Sequence, residues 1–434
     1  EAFAFLYSDR VRFDHRRKRW LIWNAPRWRP DDDGEIERLA IQAARERLKA
    51  AAEIDNADKR KKAAGWALQS ESEYRRHAML ASASVLKPIA DAGDKWDDDD
   101  WLLGCENGIL DLRRGELCEG KPDDRITLTT HLAYDPNAKA ERWDDFLKEV
   151  FGDDAVIDYI QRAAGYSLSG DVSEQVLFLC YGTGANGKSV FLAALRSALG
   201  DYAHNTPFST FELLDNRSAS NDVAALVGKR LLTASETRES ARLNEARVKA
   251  LTGGDPITAR FLFAEFFTFQ PKGKIWLAVN HKPNVSDDSY GFWRRIRLIP
   301  FTRVFDKSKA DPRLAETLRI EADGILAWAV RGALLWQARG LEPPEQVTSA
   351  TDEYRRESDP LENFLAECCI IDPQVSATAA NLYKTYCAFA EKNGERPMTA
   401  TAFGRRMVER GFTKSRSRGG VPVTYHGIGL LDTV

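Results

Sequence analysis

The stretch Gly182-Thr183-Gly184-Ala185-Asn186-Gly187-Lys188-Ser189 constrains this chain more than any other. It satisfies the spacing G-x-x-x-x-G-K-[ST], in which glycines let backbone N–H groups turn inward and cradle phosphate oxygens. Lys188 is then placed to reach the β- and γ-phosphates of a nucleotide, and the Ser189 hydroxyl to ligate Mg²⁺. The flanks agree. Val176 to Tyr181 is an apolar run of strand length, and Val190 to Leu199 reads as a helix that aims its N-terminal dipole at the phosphates. The expected nucleotide contacts are Gly182, Gly184, Ala185, Asn186, Gly187, Lys188, Ser189 and Val190.

At 434 residues the chain is too long for one ordinary core. Apolar content of 43% and charged content of 29% describe a globular protein, and no apolar run approaches the ~20 residues of a membrane span. No membrane partner and no signal peptide are expected. The net charge is only −3, so any nucleic-acid contact rests on local patches. The six cysteines show no C-x-x-C pair, which reads as reduced thiols in a cytoplasmic protein. The chain begins at Glu1 without a methionine, which leaves room for an upstream domain.

The expected class is multidomain α/β. Residues 1–140 read as a mixed α+β region. Arg19 to Trp23 alternates like a hairpin, with Trp20, Trp23 and Trp28 as the core of a small sheet in preference to a base-stacking platform. Residues 35–90 read as two or three helices, Asp97 to Asp100 as a solvated acidic loop, and Leu102 to Leu117 as strands and turns. Residues 141–170 form a helical connector.

Residues 171–305 hold the nucleotide-binding core. Lys229 to Ser235 is a strand signal that ends in Glu236, the candidate to orient and polarise an attacking water and, with Ser189, to support the metal. Ser235 stands where many NTPases carry a Mg²⁺-supporting aspartate. Val248 to Phe269 reads as a turn and a hairpin. Ile275 to Val279 is a buried strand capped by Asn280, which is suited to hold water or contact the γ-phosphate. Arg294 and Arg295 precede another apolar strand, where arginine stabilises charge on a transferring phosphate, often from a neighbouring subunit.

This order of motifs resembles superfamily 3 helicases of the AAA+ class, and more narrowly the phage/plasmid and poxvirus-type primase-helicase family. The resemblance rests on Gly182 to Ser189, Ser235-Glu236-Thr237, Lys249 with Gly253-Gly254-Asp255, Ala278 to Pro283, and Trp293 to Ile296. Asn107 to Leu112 and Gly165-Tyr166 look like that family's companion region, so the likeness covers roughly residues 1 to 305. It implies a homo-oligomeric ring, commonly a hexamer, that hydrolyses ATP with Mg²⁺ at subunit interfaces and tracks along one strand of single-stranded or forked DNA beside a primase domain or protein. Lys188, Glu236, Asn280 and Arg295 take the catalytic roles, with Arg294 the runner-up trans-acting finger. Arg260 with Phe261 falls at the DNA-contacting hairpin, and Lys272 and Lys274 are alternative pore contacts.

Residues 306–358 read as a helical lid and linker, and 359–434 as a winged-helix-like DNA-binding domain. Arg405 and Arg406 lie on its candidate recognition helix and Arg416 on the loop to the wing. The leading reading is an ATP-dependent ring helicase for replication of a phage, plasmid or other mobile element. The alternative is a nucleotide-switched DNA-binding initiator or regulator; a protein-remodelling motor is a third.

Overall fold

The computed structural model describes residues 1–213, 220–236, 241–262, 265–285, 289–306, 311–393, 397–415 and 422–431. Residues 1–118 build two small sheets and a helical layer. After α1 (Ala2–Tyr7), strands β1 (Val11–Asp14), β2 (Arg19–Asn24) and β3 (Arg27–Pro30) pair antiparallel, and β4 (Ala90–Asp91) joins β1 in parallel. Helices α2 (Glu35–Ala52), α3 (Ala57–Ser70) and α4 (Glu73–Ala83) fill the interval. Trp28 is buried and meets Trp23 and Trp96 edge-on, so these tryptophans are core. Strands β5 (Leu102–Cys105), β6 (Gly108–Asp111) and β7 (Glu116–Cys118) form a meander. Helices α5 (Glu141–Phe151) and α6 (Asp154–Tyr166) lead to the central sheet.

That sheet is parallel throughout. Its strands are β8 (Leu177–Tyr181), β9 (Ala203–Asn205), β10 (Leu231–Ser235), β13 (Lys274–Val279) and β14 (Ile296–Pro300), in the order β14-β8-β13-β10-β9. Between them run α7 (Lys188–Leu199), α8 (Ser220–Ala224), α9 (Glu245–Gly253), the antiparallel hairpin β11 (Ile257–Ala259) and β12 (Phe267–Phe269), and α10 (Tyr290–Trp293). Every residue of β13 is buried, as a strand covered on both faces requires. The segment expected as a turn before the hairpin is instead α9, capped by the Asn244 side chain on the Arg247 amide.

Helices α11 (Leu314–Ile320), α12 (Ala322–Arg339) and α13 (Glu345–Glu357) follow. α12 is no lid. Ile325, Leu326, Ala329 and Val330 are buried in the same cluster as Phe178, Phe191 and Trp276 of the sheet and α7. It approaches α6 closely because both helices carry glycine at the crossing. A Cβ on Gly165 would lie 2.0 Å from the Ala333 nitrogen, and one on Gly332 would lie 2.0 Å from the Gln161 carbonyl oxygen. The residues read as linker around 342–358 fold into α13, packed on β14 through the Thr351 hydroxyl, which accepts from the Leu298 amide.

Residues from 360 onward have their own core of Leu361, Phe364, Leu382, Tyr386, Phe403, Met407 and Tyr425. The elements are α14 (Pro360–Cys368), β15 (Cys369–Ile370), β16 (Ser376–Thr378), α15 (Ala379–Lys392), α16 (Ala400–Glu409), β17 (Thr413–Lys414), β18 (Thr424–His426) and β19 (Gly429–Leu430). They form a β16-β18-β17 sheet and a β15-β19 pair beside the helices. No helix of the described residues is long and apolar enough to cross a membrane.

The α6–α12 crossing yields a test. Gly165→Ala forces backbones apart and is expected to cost about 1–3 kcal/mol of stability, read as a lower urea midpoint at unchanged slope. A midpoint equal to wild type contradicts this packing.

Candidate functional site

Strand register decides which groups meet. Tyr181 pairs with Val279 and with Pro300, and Ser235 pairs with Ala278. The chain therefore leaves β8, β13 and β10 at one edge, and Gly182, Asn280 and Glu236 emerge there together. Carboxyl ends of parallel strands are where open α/β sheets bind ligands.

The loop from Gly182 is held from several sides. The Gly182 amide donates to Val279 O at 3.2 Å, the Phe305 amide to Ala185 O at 2.8 Å, and Asn186 Nδ2 to Phe301 O at 3.2 Å. A Cβ at Gly182 would sit 2.1 Å from Asn186 Nδ2 and 2.4 Å from Phe301 O, so only glycine fits. Gly187 starts α7 with φ +86°, a left-handed conformation that favours glycine. The first amides of α7 thus lie at the loop, where a helix N-terminus attracts anions.

Lys188 is buried at 5% exposure, and its ammonium donates to Gly182 O at 2.5 Å, Asn186 Oδ1 at 2.9 Å and Asn280 Oδ1 at 3.1 Å. All three acceptors are neutral. Burial lowers its pKa below the ordinary lysine value, while these bonds keep the cation solvated by protein. Ser189 is exposed on the first turn of α7.

Glu236 is buried, with Oε2 accepting from the His281 amide at 3.3 Å; Oε1 has no hydrogen-bond partner. Desolvation raises its pKa, only partly offset by the His281 and Asn280 amides. A buried carboxylate oxygen without a donor is uncommon in folded proteins and marks a site where a water or cation is satisfied. The donor set fits a nucleotide and a magnesium ion: backbone amides and a lysine for phosphate, the Ser189 hydroxyl and the Glu236 carboxylate for the hydrated metal.

Arg295 stands at the opposite edge. It precedes Ile296, which pairs with Leu177 at the start of β8. The length of β8 separates it from the loop, roughly 13 Å at ~3.3 Å per residue. Its Nε donates to Thr252 Oγ1 at 3.2 Å and its Nη2 to Gln175 Oε1 at 3.3 Å, while Arg294 also reaches Gln175. Gly253 and Asp255 adjoin it. The motif residues therefore divide into two groups at two edges of one sheet.

The hairpin presents Phe261, Leu262 and Phe266, all exposed, with the Arg260 guanidinium 4.8 Å from the Phe266 ring centroid and Phe261 stacked on Phe267. Lys274 is not with them. It is 2% exposed; its ammonium donates to the carbonyls of Ser169, Asp171 and Lys272 and lies 4.9 Å from the Tyr166 ring. Burial pushes its pKa well down, and it has no surface to offer a strand. Lys272 points to Asp100, 2.7 Å away, and to Asp98, so it too is drawn from a pore role. The acidic run is accordingly not a solvated loop. Asp97 accepts from the Thr127 and Leu128 amides, and Arg230, buried, donates to the Asp99, Leu102 and Leu168 carbonyls. In the C-terminal domain Arg405 is exposed beside Glu409, Arg406 lines a cleft with Asp352 and Arg355, and Arg416 lies outside the described residues. Thr237 does as well.

Sequence reasoning missed the strut behind Asn280. Lys282 Nζ reaches Glu357 of α13 at 2.5 Å and lies 5.3 Å from the Tyr181 ring, and the Tyr354 hydroxyl donates to Pro283 O at 2.5 Å. The Tyr354 ring also packs edge-on against Trp293, two residues before Arg295. Pro343, Pro344 and Pro360 bracket α13 and disguised it as linker.

Comparison with known proteins finds two family matches along the chain. A family model described as D5 N terminal like matches residues 1–152, and a family of unknown function (DUF5906) matches residues 180–295. A D5 N-terminal-like region and a DUF5906 region thus lie in tandem along the chain. Relatives include "Putative helicase L207/L206" of Acanthamoeba polyphaga mimivirus, 32% identical over 62% of this chain and 31% of that protein. "Putative helicase 022R" of Frog virus 3 is 24% identical over 69% of this chain and 40% of that protein. "Putative primase C962R" of African swine fever virus is 25% identical over 68% and 33%. The chain thus spans about a third of the length of these viral relatives. The apo structure of the NrS-1 C-terminal region superposes with a TM-score of 0.53 at 11% identity, covering 99% of this chain and 98% of that one, which shows a shared fold.

Glu236 gives a pH-dependent prediction. Its folded pKa lies above the unfolded value, so its penalty is absent below the unfolded pKa and in full force once pH exceeds the folded pKa. Glu236→Gln is therefore expected to melt higher than wild type at pH 8, with the gap narrowing as pH falls towards 4. A gap that widens on acidification contradicts the assignment.

Proposed function

We propose that this chain is the motor portion of an ATP-dependent, ring-forming DNA helicase that replicates a phage, plasmid or other mobile genome in concert with a primase. The observation that carries this reading is the placement of Arg295 at the edge opposite Lys188, Glu236 and Asn280. An arginine so far from its own subunit's site serves nucleotide chemistry only across an interface, and a head-to-tail interface that closes is a ring. The viral relatives named as helicases and primases support the same class.

The residues divide the work as follows. The amides of the Gly182–Ser189 loop and Lys188 hold the β- and γ-phosphates. Ser189 and Glu236 would hold magnesium, which would supply charge neutralisation on the phosphate oxygens. Glu236 Oε1 accepts a hydrogen bond from the attacking water, and its raised pKa suits it to take that proton. Asn280 passes the position of the γ-phosphate into the chain, because its amide shares Lys188. Arg295 of one subunit stabilises the charge developing in the site of the next. The hairpin carrying Arg260 and Phe261 faces the DNA strand, and α16 with Arg405 and Arg406 contacts duplex. Ser235, exposed in the place of an aspartate, is the one observation that favours a slow nucleotide switch instead.

ATP hydrolysis measured with and without single-stranded DNA, beside opening of a forked duplex, tests the reading. Wild type is expected to be stimulated by DNA and to open the fork, Glu236→Gln to lose roughly 10²–10⁴-fold in kcat, and Arg295→Ala to lose roughly 10³-fold while still binding ATP. Turnover that ignores DNA, with no fork opening, sinks it. A second expectation concerns the strut: Tyr354→Phe, which removes only the bond to Pro283, should lower kcat about fivefold, roughly 1 kcal/mol, at a KM for ATP near wild type. An unchanged kcat contradicts a positioning role for Tyr354.

A further inference from the structure

Two helical stripes face each other between α2 and α3, far in sequence from the nucleotide loop. On α2, Arg47, Ala50 and Ala51 stand at i, i+3 and i+4, with Ile54 just past the helix end; on α3, Lys59, Lys62, Ala63 and Trp66 recur at i, i+3, i+4 and i+7. That spacing puts each set on one face of its helix. A groove of about 540 Å³ lies between them. Its apolar lining is Ala50, Ala51, Ile54, Ala63 and Trp66. The Trp66 indole stays 49% exposed, with the Arg47 guanidinium 3.8 Å from its ring centroid.

The charge is one-sided. Among the described residues no carboxylate lines the groove, and Arg47, Lys59 and Lys62 stand in no ion pair. Arg60 and Lys61 complete a basic run from 59 to 62. Lys59 also lies in the first turn of α3, where the helix dipole favours an anion. Unneutralised cations around a half-exposed indole suit a ligand that is both anionic and flat-faced. An acidic peptide satisfies the cations but leaves the indole unused.

We propose that this groove is a second site for single-stranded DNA, distinct from the β11–β12 hairpin, with phosphates on Lys59, Lys62 and Arg47 and a base against Trp66 and Ile54. It places a strand contact on the N-terminal region. A base seated on tryptophan beside arginine is the combination that sequence-tolerant strand binders use.

The test is fluorescence anisotropy of labelled oligothymidylate with the full chain, without nucleotide, over a salt series. The variants are Lys59→Gln with Lys62→Gln, Trp66→Ala, and Arg260→Ala in the hairpin, each checked by circular dichroism. Losing two phosphate contacts is expected to make the slope of log affinity against log salt shallower by about 1.4, at about 0.7 per contact on single strands. Trp66→Ala should weaken binding roughly 10- to 100-fold with the slope unchanged. If the groove variants bind like wild type while Arg260→Ala does not, the groove is overturned and the helicase reading survives. Absence of strand binding by wild type overturns both. Polyglutamate that displaces the oligonucleotide at equal charge, with Trp66→Ala unaffected, assigns the groove to an acidic peptide and overturns the proposal.

Discussion

Parallel pairing of β8 with β13, and of β13 with β10, is the constraint on which the rest of the molecule depends. It gathers the ends of three strands at one edge, so that a glycine loop, an asparagine and a glutamate meet although nearly a hundred residues of chain separate the first from the asparagine. Shared register also sends Arg295 to the other edge. Nothing in the side chains themselves forces that separation; it follows from strand direction. On the proposed function, the two groups act on one nucleotide across an interface, and the ring is the assembly that brings them together.

The sheet is in turn anchored to the N-terminal region by two buried cations. Arg230 and Lys274 sit at the starts of β10 and β13, bonded to main-chain carbonyls of residues 99, 102, 168, 169 and 171. Desolvating a guanidinium and an ammonium is expensive, and only a full set of acceptors offsets it. Here those acceptors come from the acidic run and the turn after α6, so the loop of four aspartates is a docking element. This arrangement ties the D5 N-terminal-like region to the sheet at the edge that also carries Arg295.

Much of this was legible in the sequence because its periodicity and spacing are strong. The glycine loop, Glu236 after an apolar strand, Asn280 after β13 and the small tryptophan-cored sheet were all readable from local pattern. What escaped was decided by tertiary context. Lys272 and Lys274 look like surface cations beside a hairpin, yet both are taken up by acceptors of residues 98–171, Lys272 by Asp98 and Asp100 and Lys274 by the Ser169 and Asp171 carbonyls. Asp97 to Asp100 looks solvated because four carboxylates rarely dock, and its partners lie at residues 127, 230 and 272. α13 was hidden by flanking prolines, although Val347, Thr351 and Tyr354 already carry the spacing of a buried helical face. The basic run of residues 59–62 gives no sign of a groove until α2 and α3 are paired.

One measurement bears most directly on the central claim. Subunits carrying Glu236→Gln supply the arginine but not the carboxylate; subunits carrying Arg295→Ala supply the reverse. Each is expected to be inactive alone. Mixed and reassembled at equal amounts, about a quarter of interfaces join an intact carboxylate to an intact arginine at random association. Recovery of ATP hydrolysis in the mixture is the predicted result. A mixture no more active than its two components contradicts a site shared between neighbours.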